Sequence, residues 1–152
     1  MLLMGCGAKG ADESSAAVNE QTCAEIAQAL VNDLGLTEAV NEAKTRVVYG
    51  QFFNAREGDE GLPVTDAAAY LPVDKNSDTV GVFRTDNADA VKAMLDEYLS
   101  AQTALSQMYS PEEVFKISNA IVDTSNDGKT IVLVVCNDIE DAKVKVAKAL
   151  GK

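Results

Sequence analysis

Five stretches of the 152-residue chain carry side chains that could do chemistry. Asp74-Lys75-Asn76-Ser77-Asp78 has the D-x-N-x-D opening of a calcium loop. A complete loop of that kind places glycine sixth, to allow the sharp turn, and glutamate twelfth, as a bidentate ligand. Here those positions hold Thr79 and Thr85, so the stretch reads as an acidic hairpin loop and no metal is assigned. Tyr109-Ser110-Pro111-Glu112-Glu113 can present a phenol beside a carboxylate. Ser110, Pro111 and Glu113 also have the types and spacing of a helix start, with N-cap, first-turn proline and capping-box partner. That leaves Tyr109 and Glu112 as candidate contacts for a ligand or partner. Phe52 and Phe53 close the apolar run Val47–Phe53 and are the candidates for an aromatic patch facing a partner. The three cysteines form no C-x-x-C pair, which argues against a zinc site. Cys23 and Cys136 could pair outside the cell, or each could fill an apolar position as a small hydrophobe.

The chain contains no histidine. That removes the commonest general base and the Ser-His and Cys-His arrangements that need it. No G-x-x-x-x-G-K or G-x-G-x-x-G run is present to cradle a nucleotide phosphate. Carboxylates are so abundant that a pair of them distinguishes nothing. No catalytic residue and no cofactor is assigned. The net charge of −11 repels phosphate backbones and anionic headgroups, so nucleic acid is not an expected partner.

Cys6 has a different chemistry. Leu3-Met4-Gly5-Cys6 resembles a bacterial lipobox, with an apolar residue three before the cysteine and a small residue just before it. In lipoproteins with such a box the thiol receives a diacylglycerol and cleavage makes the cysteine residue one. Residues 1–6 read as the remnant of a lipoprotein signal peptide. The apolar stretch is far short of the roughly 20 residues of a spanning helix. Residues 7–21 are small, polar and aperiodic, as a flexible tether would be, with a reach of roughly 20 Å as a random coil. Two acyl chains on Cys6 would hold such a chain stably to a bilayer.

The elements that must position these groups lie in residues 22–152, a single domain with 47% apolar residues and few aromatics. Thr22 and Glu25 fit a capping box for a first helix, which Gly35 would stop. Thr37–Lys44 has helical composition, and Arg46–Phe53 would pass either as a strand or as the apolar end of a helix; of the two, a helix running into an irregular apolar segment is expected. Thr65–Leu71 and Asp78–Arg84 read as a hairpin. The longest helix follows, capped by Asp86 or Thr85, with Val91, Met94, Leu95, Tyr98, Gln102, Leu105 and Met108 on one face. A short helix from Ser110 ends near Ile117. Asn119–Asp123 and Thr130–Cys136 form a second hairpin across Asp127-Gly128, and the apolar run Ile131–Val135 predicts a strand covered on both faces. Asn137 would cap the last helix. The expected fold is α+β: two hairpin-helix (ββα) units giving a mostly antiparallel sheet of about four strands with helices packed against it, preceded by an N-terminal helix.

The stretch Asp78–Leu150 resembles a known family. The resemblance rests on Asp78-Thr79-Val80-Gly81-Val82-Phe83-Arg84, Ala90-Val91, Gln102, Tyr109-Ser110-Pro111-Glu112-Glu113, Asn119-Ala120-Ile121-Val122 and the apolar strand before Asn137-Asp138. Glu25–Leu30 is similar to the family's first helix, whereas Leu36–Pro63 departs from its pattern. The family is an uncharacterised bacterial lipoprotein family, mostly from Gram-positive anaerobes, with a domain of unknown function numbered 4358. The resemblance implies lipid attachment at Cys6 and brings no catalytic residue.

The expected function is a membrane-anchored extracytoplasmic lipoprotein that acts as a binding or interaction module. Its partners would be the lipid bilayer, through diacylglycerol on Cys6, and a protein or small molecule. The alternative is a carboxylate-dependent hydrolase acting on an extracellular polymer. A third reading, a soluble cytosolic domain with an incidental Cys6, predicts that Cys6→Ser changes nothing.

Overall fold

The computed structural model describes residues 17–152. The lipobox, Cys6 and most of the expected tether lie outside the described residues. One antiparallel sheet forms the centre, with strands β1 (Val40–Glu42), β2 (Val64–Pro72), β3 (Thr79–Thr85), β4 (Ile121–Thr124) and β5 (Thr130–Val135) in the order β1-β2-β3-β5-β4. The helices are α1 (Cys23–Asp33), α2 (Thr45–Phe53), α3 (Ala88–Tyr109), α4 (Val114–Ser118) and α5 (Ile139–Ala149), with a 3₁₀ turn at Pro111–Glu113.

Side chains alternate across a strand, so the sheet divides the core in two. Val80, Val82, Val132 and Val134 face one side, against Ile26, Ala27 and Leu30 of α1 and Ala142 and Val146 of α5. Phe83, Ile131, Leu133 and Val135 face the other, against Tyr49, Phe52 and Phe53 of α2 and Val91 and Leu95 of α3. All six residues of β5 are buried, as its unbroken apolar sequence predicts. Each hairpin is followed by its helix, and the two helices land on opposite faces: α3 beside α2, α5 beside α1. The expected α+β architecture of two hairpin-helix units behind an N-terminal helix is what the chain forms.

The sheet has five strands where four were expected, because β1 lies in the segment read as helix. Leu36 ends the preceding turn by accepting hydrogen bonds from Ala39 N and Val40 N (2.9 and 3.1 Å). Val40 then pairs with Pro72 at the end of β2, which runs one residue further than expected and offers a free edge. The helix comes next and not before. Arg46–Phe53 is rich in strand-formers, yet Val48, Tyr49, Phe52 and Phe53 share one buried helical face. Tertiary burial overrides the local preference.

Residues 17–21, assigned to the tether, belong to the folded body. Residues 17–20 are helical and Val18 is buried in the core. The Arg84 guanidinium donates to the carbonyls of Val18, Asn19 and Gln21 (3.2, 3.3 and 2.9 Å), fixing this segment to β3. The capping box of α1 forms as expected, Thr22 Oγ1 accepting from Glu25 N and Glu25 Oε2 from Thr22 N. Two other caps move by one residue. Asn87 caps α3 (Ala90 N to Oδ1, 3.2 Å), and Asp138 caps α5 (Asp141 N to Oδ1, 3.1 Å). Among the described residues no helix is long and apolar enough to cross a membrane.

Candidate functional site

The second half of α3 is built unlike the first. Up to Leu99 its inward positions are apolar: Val91 and Leu95 are buried, and Met94, Tyr98 and Leu99 pack against the same core. Beyond that point the half-buried positions are Gln102, Ser106 and Ser110, while Leu105, Met108 and Tyr109 are 50%, 71% and 76% exposed. The even apolar face expected along the whole helix therefore ends at Leu99. A helix that turns polar groups inward and large apolar ones outward is not covering a core. It is the wall of a groove.

The groove has a volume of about 460 Å³ and lies between α3 and the β2–β3 loop. Its floor includes Leu71, Leu99, Ile117 and Val135, and its walls carry Gln51, Gln102, Ser106 and Ser110 on the helical side. Burial raises the Tyr98 phenol above its ordinary value, and the side chains of Gln51 and Thr79 at its hydroxyl partly offset that effect. The opposite wall is Asp74–Ser77. This loop is internally braced. Asp74 adopts a left-handed conformation (φ 55°), Asn76 Nδ2 donates to the carbonyls of Val73 and Ala39, and Asn76 Oδ1 accepts from Asp78 N (2.8 Å).

A buried ion cluster closes the end of the groove. Lys116 Nζ lies 2.6 Å from Glu113 Oε2 and 3.0 Å from Asp78 Oδ1. Glu113 Oε2 also accepts from Ser77 N and Oγ (3.2 and 2.6 Å), so one carboxylate joins the loop to the helical turn after α3. Burial pushes the Glu113 carboxyl up, but hydrogen bonds from Lys116 and Ser77 outweigh it and hold the group below its ordinary 4.5. Burial pulls the Lys116 ammonium down, and its hydrogen bonds to Glu113 and Asp78 outweigh that, holding it above its ordinary 10.5. Both groups stay ionised at neutral pH. Neither Glu113 as a proton donor nor Lys116 as a base is available there.

A family model described as a domain of unknown function, DUF4358, matches residues 63–136. That segment is a DUF4358 domain. It contains β2 to β5, α3, α4 and the whole ion cluster. Every residue lining the groove falls inside the DUF4358 segment except Gln51, which α2 contributes. The remaining helices, α1 and α5, cover the far face of the sheet. No curated protein and no solved structure matches the chain.

The residues singled out from the sequence divide between surface and core. Tyr109 and Glu112 are exposed at the end of α3, outside the groove and next in the chain to its lining residues Ser110 and Glu113. Phe52 and Phe53 are core residues, 3% and 8% exposed. Phe52 meets the rings of Phe83 and Tyr98 (centroids 5.2 and 4.5 Å apart), so the expected partner surface at these two residues is corrected to a packing role. Cys6 lies outside the described residues. Glu113 departs from its expected place in a capping box, because Ser110 makes no side-chain cap and the carboxylate turns to Ser77 and Lys116. Asp78, taken as a loop carboxylate, is the second partner of Lys116. One signal for this cluster was legible: a lysine at the centre of the short apolar run Val114-Phe115-Lys116-Ile117 must bury its charge against an acid. Cys23 and Cys136 are free and buried. Burial, reinforced by Asp66 and Asp78 respectively, raises both thiols above their ordinary value, so neither is an activated nucleophile.

Proposed function

We propose that the chain is an extracytoplasmic binding module, held at the outer face of the membrane by diacylglycerol on Cys6, whose ligand site is the groove between α3 and the β2–β3 loop. The observation that carries this reading is the inversion of α3, with half-buried Gln102, Ser106 and Ser110 beside exposed Leu105, Met108 and Tyr109. Free hydroxyls and carboxamides in a concave site with an apolar floor are suited to hold and orient a ligand. The hydrolase reading draws less support. The close acidic pair, Asp78 and Glu113, shares one ammonium, and a carboxyl held below its ordinary pKa is a poor general acid.

The test is crosslinking on intact bacterial cells that process lipoproteins, with a lipoprotein signal sequence supplied upstream, followed by pull-down and mass spectrometry. The protein is expected in the membrane fraction with one dominant partner. Cys6→Ser is expected to release it and abolish that crosslink. A protein that stays soluble with Cys6 intact would sink the anchoring claim, and crosslinks spread evenly over many proteins would sink the binding-module claim.

A further inference from the structure

We propose that the groove takes an extended, positively charged peptide segment of about five residues; this rests on the reading of the groove as the ligand site. The polar groups on the α3 wall recur every four residues: Tyr98, Gln102, Ser106 and then Ser110 just past the helix end. Four helical residues rise about 6 Å. Two residues of an extended chain advance about 6.6 Å, and their peptide groups on one side repeat at that distance. The ladder therefore meets the peptide groups of an extended chain almost in step. From Tyr98 to Ser110 it spans about 18 Å, the length of five or six extended residues.

The Tyr98 hydroxyl already meets Gln51 and Thr79, but the rest of the ladder is not consumed by the fold. Among the described residues the side chains of Gln102, Ser106 and Ser110 make no hydrogen bond to another part of the chain. Glu113, at the end of the groove, is already bonded to Lys116 and Ser77, so on the α3 wall recognition falls to neutral amides and hydroxyls, which suit a peptide backbone, while the opposite wall carries Asp74 and Lys75. Charge selects the sign of the segment. The chain carries −11, which draws in a cationic segment and repels an anionic one.

The test is a fluorescence-polarisation screen of random labelled hexapeptides against the chain. Peptides rich in Lys or Arg are expected to be enriched. Their affinity should fall at least tenfold for Ser106→Trp, which fills the middle of the groove, and for Ser106→Arg, which repels the ligand. Val144→Trp, on the exposed face of α5, should bind as the parent does. Near-ultraviolet circular dichroism verifies that each variant is folded. Enrichment of acidic peptides, or of none, would overturn the peptide assignment. If a panel of soluble neutral oligosaccharides bound instead and Ser106→Trp blocked them, the groove would stand as the site and the peptide would not. Peptides that bind Ser106→Trp and Ser106→Arg as well as the parent would overturn both.

Discussion

Lys116→Ala is expected to destabilise the protein by about 3–5 kcal/mol, read as a shift of the urea unfolding midpoint at neutral pH. The lysine side chain is 7% exposed, and its two carboxylate partners, Asp78 and Glu113, are 11% and 12% exposed. Removing the ammonium leaves two charges out of water with no cation between them, and that desolvation cost exceeds the worth of the ion pairs themselves. The pH dependence supplies an independent check. In the parent the Glu113 pKa is depressed on folding, so its contribution is present above the ordinary carboxylate value and is lost as pH falls through the folded pKa. The raised Lys116 pKa acts oppositely: its contribution is present below the ordinary amine value and lost as pH rises through the folded pKa. In Lys116→Ala the acid branch should reverse, because a buried carboxyl without its cation is favoured in the protonated form. Lowering the pH should then recover stability, and adding Asp78→Asn and Glu113→Gln should recover part of it at neutral pH. A loss below about 1 kcal/mol, in the range of an exposed pair, would show that the cluster is wet.

Phe83→Ala is expected to cost about 3–5 kcal/mol, measured in the same way. Phe83 is fully buried in β3 and meets Phe52 and Phe53 edge to face, with centroids 5.2 and 5.3 Å away. It is the β3 ring against which Phe52 and Phe53 of α2 pack, so truncation leaves a cavity that the rigid sheet cannot close. Gly81→Ala probes the same spot from the opposite direction. A Cβ on Gly81 would stand 2.7 Å from Cζ of Phe83, a fully buried ring packed against Phe52 and Phe53. Overpacking of about 1–3 kcal/mol is expected. If Phe83→Ala cost no more than an exposed substitution, the aromatic cluster would not be the joint between α2 and the sheet.

Most of the fold was legible because the apolar pattern and the turn residues agree. Ile131–Val135 has no polar residue, so it had to be a covered strand, and Asp127-Gly128 marks the turn before it (Gly128, φ 75°). Leu36–Phe53 failed for a physical reason: β1 exists only because β2 presents an edge to it, and that edge is a long-range fact. Helix α2 hides behind strand-forming residues whose burial is set by Phe83 and Val91, distant in sequence. The candidate site was less legible than the fold. A polar face on the end of a long helix looks like a solvated face until the loop opposite is placed. The capping-box pattern at Ser110–Glu113 concealed the role of Glu113, because the same spacing serves a cap or a bridge. Tyr109 and Glu112 were found as exposed residues at the right end of α3, yet they border the groove and do not line it.

The α3 groove, and no other surface, is proposed as the place where this chain meets its ligand. A photo-crosslinking amino acid in place of Tyr109, an exposed ring next to the lining residue Ser110, is compared in intact cells with one at Val144. One dominant adduct is expected from position 109, competed away by the basic hexapeptides selected in the screen, and none of that adduct from position 144. The same adducts from both positions, or an adduct from 144 alone, would contradict it.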